Sequence, residues 1–338
     1  MENYDKKEPR VVIIGAGPAG TTCGFLLQKA GIDCVVVDHA SFPREKICGG
    51  GLTPKAYRLL EKLMPELEYE YRGVSKGRFM MDEKVICEVD ISRELRMVRR
   101  KDFDYQLLQQ YLGIGGVLMK GSFDSLEHQE NGKIVVKLKS GETIGCDYLI
   151  GADGANSRVR KALKGDYSGN TLWMEQYTEK GENAFVFGYS EECHQGYYFS
   201  FPSVGRYVVG AGGSNFKKQD FKALMDKMGI EEIKSYGAYI PIETVTSDDD
   251  RIMLIGDAGG FANRISFEGL YYAIATARNA YLAVASGQSF KETNGPIFWK
   301  KKKEEYLARL FFSHLGFWLV RLGAHSPWLI KKVFERYI

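Results

Sequence analysis

The residues whose types and spacing first suggest chemistry are Gly15-Ala16-Gly17-Pro18-Ala19-Gly20 and, further on, Asp38. In a GxGxxG each glycine has a mechanical task. Gly15 permits a tight turn, Gly17 lets backbone approach a pyrophosphate, and Gly20 lets a helix close on a strand beside Ala19. The phosphates would rest on a helix N-terminus, where free N–H groups and the helix dipole favour anions. Asp38 is placed to accept from a ribose 2′-OH, and its charge argues against a 2′-phosphate. This motif specifies a dinucleotide. Alone it does not separate a flavin from a nicotinamide.

Elements of definite kinds must hold these residues. Val11 to Ile14 is a short apolar run suited to a buried parallel strand. Pro18 to Ala30 follows as a helix closed by Gly31, and Cys34 to Val37 is the next strand. Residues 102–112 read as a helix with Phe103, Leu107, Leu108 and Tyr111 on one face. Ile134 to Leu138, Asp147 to Ile150 and Arg251 to Ile255 read as strands. A long helix is predicted from about Phe267 to Ala285. Between Trp173 and Gly213 the texture changes to short aromatic and β-branched runs, as in an antiparallel sheet. The fold class is therefore α/β with an α+β admixture. A Rossmann-like FAD/NAD(P)-binding domain (residues 1–72, 96–165 and 245–295) carries an inserted antiparallel β-sheet substrate domain (73–95 and 166–244) and C-terminal helices (296–338).

The 338 residues are 44% hydrophobic and 26% charged, a globular composition rather than a disordered one. A formal charge of +3 is too small for a nucleic-acid footprint, so no nucleic-acid partner is expected. Cysteines stand at 23, 34, 48, 87, 146 and 193, with no CxxC, so neither a zinc site nor a dithiol motif is indicated and no metal is expected. The polar, charged N-terminus is unlike a secretory or transit segment, and no apolar run approaches the ~20 residues of a spanning helix. These features point to reduced thiols and a cytoplasmic protein.

Two further stretches decide the cofactor. Gly151-Ala152-Asp153-Gly154 follows a strand and leads into Ser157-Arg158-Val159-Arg160. Leu254-Ile255-Gly256-Asp257-Ala258 ends another strand. With GxGxxG, ADG and GD in that order, the sequence resembles the flavoprotein superfamily of aromatic-ring monooxygenases and geranylgeranyl reductases. The resemblance implies FAD, with Gly256 and Asp257 at its ribityl chain and Asp153 and Gly154 supporting a shared loop. It also implies that the helix after Gly269 and Leu270 aims its N-terminus at the flavin's pyrimidine edge. A helix N-terminus stabilises the anionic reduced ring by roughly 0.3–2 kcal/mol.

Local features resemble the geranylgeranyl reductase branch. Arg44-Glu45-Lys46-Ile47-Cys48-Gly49-Gly50-Gly51-Leu52 is similar to its K-x-C-G-x-G stretch, which implies that Arg44, Cys48, Gly49 and Gly51 lie against the flavin. Arg100, in Arg100-Lys101-Asp102-Phe103-Asp104, matches an R-x-x-F-D in which the arginine reaches the cofactor. Tyr197-Tyr198-Phe199-Ser200-Phe201-Pro202, with Gly210 further on, follows Y-x-W-x-F-P with Phe199 in place of Trp. On a strand Tyr197, Phe199 and Phe201 share one face, and with Pro202 they would wall a site for a greasy substrate. Tyr239-Ile240-Pro241 is a further likeness. The chain departs from the branch after the GD element. Where the family shows N-P-x-T-G-E-G, this chain has Asn263-Arg264-Ile265-Ser266-Phe267-Glu268-Gly269. Phe267 would narrow the pocket there and Arg264 would add a charge.

The resemblance implies a flavin-dependent reductase acting on C=C bonds of a lipophilic, isoprenoid-type molecule. Cys48 is a candidate for the proton donor. The alternative is an FAD-dependent monooxygenase of an aromatic or apolar substrate, and oxygen uptake coupled to product separates the two. A third reading is a flavin-binding sensor without a small substrate. No second GxGxxG is present for NADPH, so the electron donor is either NAD(P)H docking transiently in a groove or another reductant. The lysine run Lys300 to Lys303 precedes Tyr306, Leu310, Phe311, Phe317, Trp318, Leu319, Leu322 and Trp328. Basic and aromatic residues so mixed suit peripheral contact with an anionic membrane, or else a solvated lysine face on packed helices.

Overall fold

Val11–Ile14 forms strand β1 and is buried at every position, as a central parallel strand requires. The GxGxxG turn leads into α1 (Pro18–Lys29) and then β2 (Cys34–Asp38). Proline at the first turn of α1 forfeits only an N–H that no helix carbonyl would use. The chain continues through β3 (Gly51–Leu52) and α2 (Pro54–Leu63) into a long hairpin, β4 (Arg72–Met81) and β5 (Lys84–Met97). Next come α3 (Arg100–Gly113), β6 (Val117–Lys120), β7 (Phe123–His128), β8 (Ile134–Leu138), β9 (Thr143–Cys146), β10 (Tyr148–Gly151) and α4 (Arg158–Lys164). The aromatic-rich stretch gives β11 (Asn170–Thr178), β12 (Phe185–Tyr189), β13 (Tyr197–Ser203), β14 (Arg206–Gly213), α5 (Lys218–Lys227) and β15 (Tyr236–Pro241). Strand β16 (Ile252–Leu254), a 3-10 turn at Gly256–Gly259 and α6 (Leu270–Ser286) return to the first layer. Helices α7 (Phe290–Thr293), α8 (Gly295–Phe311), α9 (His314–Gly323) and α10 (Pro327–Tyr337) follow. The structure is a computed structural model and describes residues 8–81, 84–231, 233–323 and 326–337.

Three sheets result. A five-stranded sheet has the order β16-β10-β1-β2-β6, with every neighbouring pair parallel. Helices α1, α3 and α6 cover one face of it through Cys23, Leu27, Leu107, Tyr111, Ile274 and Ala277. The small antiparallel sheet β7-β8-β9 covers the other face through Phe123, Val136 and Leu138. An eight-stranded sheet has the order β15-β11-β14-β13-β12-β4-β5-β3. Its two parts are far apart in sequence and join where β4 pairs with β12 in parallel, Phe79 opposite Phe187. Helix α5 covers one face with Phe221, Leu224 and Met225. The other face carries Phe79, Trp173, Phe187, Tyr197, Phe199 and Phe201, packed with Phe267.

Several elements differ from the sequence pattern. The long helix starts at Leu270 rather than near Phe267, because Phe267 adopts a left-handed φ of +54° that no helix contains. Helix α3 starts two residues earlier than its apolar periodicity indicates, so Arg100 belongs to its first turn. The lysine run is not a uniform solvated face. It lies on α8, whose rotation turns Lys301 inward to 5% exposure while Lys302 and Lys303 stay outside.

Candidate functional site

At the N-terminus of α1 the glycines meet backbone. A Cβ on Gly15 would stand 2.3 Å from the Ala152 carbonyl oxygen, and one on Gly20 would stand 1.8 Å from that of Gly15. Gly17 is different: the only atom within 4 Å of its ideal Cβ position is a guanidinium nitrogen of Arg44, at 3.5 Å. That guanidinium is held by Asp104 Oδ2 at 3.4 Å and by the Phe42 ring at 5.0 Å. No side chain caps α1. The result is an open cradle of unused N–H groups with a cation beside it, which fits a pyrophosphate. Asp38 lies at the next position expected for a dinucleotide. Its Oδ2 accepts from Ala16 N at 2.6 Å and its Oδ1 from Ala40 N at 2.7 Å. The carboxylate therefore also fixes the glycine turn, a task the sequence pattern does not disclose.

The ADG and GD elements are tied together by Arg160. Its Nη1 donates to the Asp257 and Ala258 carbonyls at 3.0 and 2.9 Å, and its Nη2 donates to Ala155 O. Burial pushes the Arg160 pKa down, and its ring partner Tyr167 and the carboxylates of Asp153 and Asp257 oppose that. Asp153 accepts from Ser157 Oγ at 2.5 Å, Arg158 N at 2.7 Å and Val159 N at 3.2 Å. It is the N-terminal anchor of α4, and burial raises its pKa against those bonds. Gly154 follows with a φ of +78°. By contrast, no described residue donates to the Asp257 carboxylate, which is half-buried beside Gly269, 3.2 Å from that residue's ideal Cβ position. Gly256 N donates to Thr276 Oγ1 at 2.9 Å, fixing the GD turn to α6. The first turn of α6, at Gly269 and Leu270, has no side-chain cap. An open carboxylate and an uncapped helix start, side by side, fit a ribityl chain and the electron-rich edge of a flavin.

Arg100 makes a bidentate pair with the fully buried Asp104, Nε–Oδ1 2.7 Å and Nη2–Oδ2 2.9 Å. Burial works against its charge, but Asp104 and the Cys48 thiol hold its pKa above the ordinary value. The guanidinium thus anchors within the protein, at the base of the Cys48-Gly49-Gly50-Gly51 loop. Gly50 N donates to Cys48 Sγ at 3.4 Å, and Gly50 has a φ of +76°. Gly51 begins β3, opposite Met97. The loop lies directly against the aromatic wall: a Cβ on Gly49 would come 2.9 Å from Phe201 Cδ2 and 3.2 Å from Phe199 Cε2.

The wall itself alternates as a strand must. Tyr197, Phe199 and Phe201 face this loop, while Tyr198 turns to the cluster under α5. Phe199 and Phe201 stack with ring centroids 4.5 Å apart. Trp173 on β11 joins them, 4.8 Å from Tyr197 and 4.6 Å from Phe267. Tyr197 donates to Ser266 O at 2.7 Å, and burial raises its pKa, followed by Cys48 and Glu268. Pro202 continues the strand opposite Tyr207. At the far end Phe334 of α10 stacks on Phe185 at 4.8 Å and meets Phe79 and Phe187 edge-on. Two surface concavities, of about 440 and 210 Å³, lie elsewhere and touch none of these residues.

The sequence reading missed two acids here. Glu268 receives Thr53 Oγ1 at 2.5 Å and Lys55 Nζ at 2.7 Å, so it bolts the stretch after Gly51 to the loop before α6. Its signal was present as the E of the family's T-G-E-G. Glu175 lies on the aromatic face with 3% exposure. Its Oε1 accepts from Cys48 N at 2.9 Å and from Tyr177 Oη at 3.1 Å. Period 2 on β11 puts it beside Trp173 and Tyr177, a signal legible only once that strand is known to face the site.

Known proteins resemble this chain in sequence and in fold. Residues 8–180 match the FAD binding domain family model. The chain is 27% identical over 336 residues to a menaquinone reductase of Mycolicibacterium smegmatis, covering 89% of this chain and 81% of that protein. It is 28% identical over 313 residues to the chloroplastic geranylgeranyl diphosphate reductase of Arabidopsis thaliana, covering 82% of this chain and 66% of that protein. Among solved structures, a geranylgeranyl bacteriochlorophyll reductase-like protein of Thermoplasma acidophilum superposes with a TM-score of 0.74. That match is 18% identical and covers 97% of this chain and 98% of that one, a likeness of fold.

Proposed function

We infer the reaction from one premise: the chain belongs to the FAD binding domain family and is an FAD-dependent oxidoreductase of the geranylgeranyl reductase type. We propose that it reduces C=C bonds of a lipophilic, isoprenoid-type substrate. The observation that carries this reading is the aromatic face of β13 closing on the Cys48–Gly51 loop, with Phe199 and Phe201 in contact range of Gly49. A polyprenyl chain has no polar group to satisfy along its length, so a face of stacked rings suits it.

The residues divide the work as follows. Gly15, Gly17, Ala19 and Gly20 cradle the pyrophosphate with Arg44 beside it. Asp38 holds the ribose while bracing the turn. Asp257 and Gly256 take the ribityl chain, Gly269 and Leu270 face the pyrimidine edge, and Asp153 and Gly154 shape the loop between. Cys48, Gly49 and Gly51 lie along the ring, and Arg100 positions that loop from below. Bound FAD supplies the hydride. Tyr197, Phe199, Phe201 and Phe267 hold the substrate and exclude water from it. Pro202, expected from the motif to join them, falls on the opposite face of β13 by the strand's own alternation, opposite Tyr207. NAD(P)H, docking transiently, would serve as the electron donor. Among the described residues, the cofactor domain is drawn from the segments 1–72, 96–165 and 245–295 and the substrate domain from 73–95 and 166–244, with β3 joining the edge of the substrate sheet.

The location we propose is the cytoplasmic surface of a membrane. No helix among the described residues is long and apolar enough to cross one. Trp299, Tyr306, Leu315, Trp318, Leu322 and Trp328 are nevertheless exposed on α8, α9 and α10. Lys303 and Lys332 stand over the Trp299 and Trp328 rings at 5.4 and 4.8 Å. Aromatic residues beside cations suit the headgroup region of an anionic bilayer.

The deciding experiment mixes the anaerobically reduced holoenzyme with geranylgeranyl diphosphate or with a menaquinone. A product heavier by two hydrogens supports the reductase. In a parallel mixing with air-saturated buffer, oxygen uptake coupled to a hydroxylated product would replace it with the monooxygenase.

A further inference from the structure

Reducing a C=C bond requires a hydride at one carbon and a proton at the other. We propose that Glu175 is the acid that delivers this proton, an inference that rests on the reductase reading above. The hydride comes from the reduced cofactor, which is oxidised. The alkene π bond breaks and two C–H bonds form. The carboxyl O–H breaks and leaves Glu175 as a carboxylate, which solvent reprotonates after product leaves.

The argument begins with sheet register. Glu175 on β11 pairs with Gly210 on β14, Gly210 pairs with Phe199 on β13, and Phe199 pairs with Phe187 on β12. Directly opposed residues of paired strands point to the same side. Glu175 therefore stands in one row with the rings of Phe199 and Phe187, on the face that meets the Cys48 loop. Gly210 between them has no side chain, so nothing separates the carboxyl from the Phe199 ring. Within this row it is the only acid.

The local contacts suit a proton donor. Oε1 takes hydrogen bonds from Cys48 N and Tyr177 Oη, which fix the carboxyl plane against the loop assigned to the flavin ring. Oε2 makes no hydrogen bond among the described residues. Burial raises the Glu175 pKa to about 7, opposed by the Cys48 N–H, the Tyr177 hydroxyl, Arg206 and Lys46. The other groups near it are Glu45, on the Cys48 loop, and Tyr236, opposite on β15. An acid poised near neutrality both holds and releases its proton at working pH. Of the other acids at the site, Glu268 is tied to Thr53 and Lys55, Asp153 to α4 and Asp104 to Arg100, while the open Asp257 carboxylate lies beside Gly269 at the place assigned to the ribityl chain.

Glu175→Gln tests this. The amide oxygen can still accept from Cys48 N and Tyr177 Oη, but no acidic proton remains. In single turnover of the reduced holoenzyme with geranylgeranyl diphosphate or a menaquinone, the variant should slow by at least about 100-fold. Its FAD content and its reduction by dithionite should match the wild type. A variant that reduces substrate at the wild-type rate overturns the proposal. The second readout needs no turnover: carboxyl-13C NMR of glutamate-labelled protein, with and without FAD. One resonance should titrate near pH 7, respond to FAD, and vanish in Glu175→Gln. If the wild type reduces neither probe while that resonance behaves so, the reductase reading falls and the acid beside the cofactor stands. If no such resonance exists, the proton donor is not Glu175, whatever the substrate.

Discussion

The ring of Phe199 lies across Gly210, close enough that a Cβ on Gly210 would meet Phe199 Cζ at 2.4 Å. The two are directly opposed on β13 and β14. The tyrosine-rich strand and the later glycine are thus one packing unit. Only a residue without a side chain lets the ring lie flat against the sheet and complete the wall with Phe201.

Gly210→Ala should therefore displace the Phe199 ring and destabilise the protein by about 1–3 kcal/mol, the usual range for overpacking a core. Adding Phe199→Ala should recover part of that loss. Recovery stays partial because the same Cβ would also approach Met174 O at 2.8 Å. Chemical denaturation of both singles and the double provides the coupling. Strict additivity would mean that the ring and the glycine do not share their space.

Asp257 separates cofactor binding from folding. Its carboxylate has no donor among the described residues, so Asp257→Ala should lower the melting temperature of the flavin-free protein only slightly, through the lost attraction to Arg160. FAD affinity should fall by about 1.5–3 kcal/mol, the worth of a hydrogen bond to a charged group. Asp38→Ala should differ, since it also orphans the buried Ala16 N–H. It should lower both stability and FAD affinity. Equilibrium FAD titration beside thermal melts of the flavin-free variants distinguishes the two patterns.

The centre of the parallel layer was readable because each of its signals is local, whereas its edge strand β6, four residues at Val117–Lys120, was not read. Val11–Ile14, the glycine turn and Asp38 sit within one βαβ unit, and each is dictated by a single backbone demand. The alternation of β13 was likewise legible from period 2. What could not be read depends on partners far along the chain. Glu175 looks like any strand acid until β11 is known to pair with β14 and to present that face to Cys48. Arg100 fits a motif that reaches the cofactor, and the motif does not disclose that Asp104, one helical turn away, holds its Nε and Nη2. Asp153 satisfies a family pattern while its bonds go to α4. The lysines of α8 look alike in sequence, and only the rotation of the helix sends Lys301 to the Ala262 carbonyl.

Phe267 stands where the resembling family has glycine, and its φ of +54° is a glycine-type conformation. A non-glycine residue there carries roughly 1–2 kcal/mol of backbone strain. Contacts with Trp173 and Tyr197 offset it. Phe267→Ala removes the contacts and keeps the strain. Phe267→Gly removes both, so it should be the more stable of the two by about 1 kcal/mol, the reverse of the usual ranking of glycine and alanine. Both variants should admit bulkier substrates. Urea denaturation sets the stability order; alanine more stable than glycine would show that the loop relaxes out of the left-handed region.

The exposed aromatics of the last helices predict binding to anionic vesicles. Trp318 and Trp328 are 56% and 68% exposed, so replacing both by Ala should cost little stability. Sedimentation with vesicles containing phosphatidylserine should drop sharply, and binding of the wild type should weaken with added salt. Equal sedimentation of wild type and variant would assign these helices to another role. The Phe317 side chain lies outside the described part of the structure.

The last prediction concerns pH and stability. In the folded protein Glu175 titrates near 7, whereas an unconstrained glutamate titrates near 4.5. Between those values the folded state binds more protons than the unfolded state. Stability therefore falls as pH rises through that window. The group's contribution is fully present below 4.5 and lost once the pH passes about 7. A shift of this size corresponds to about 3 kcal/mol. Glu175→Gln has no proton to lose, so its stability should stay flat over the window apart from changes common to both proteins. Subtracting the two unfolding free energies, measured by urea denaturation between pH 5 and pH 8, isolates the term. The wild type should lose stability relative to the variant as pH rises. A difference that does not change with pH would mean that Glu175 is ionised throughout, and the carboxyl beside Cys48 would then hold the loop without holding a proton.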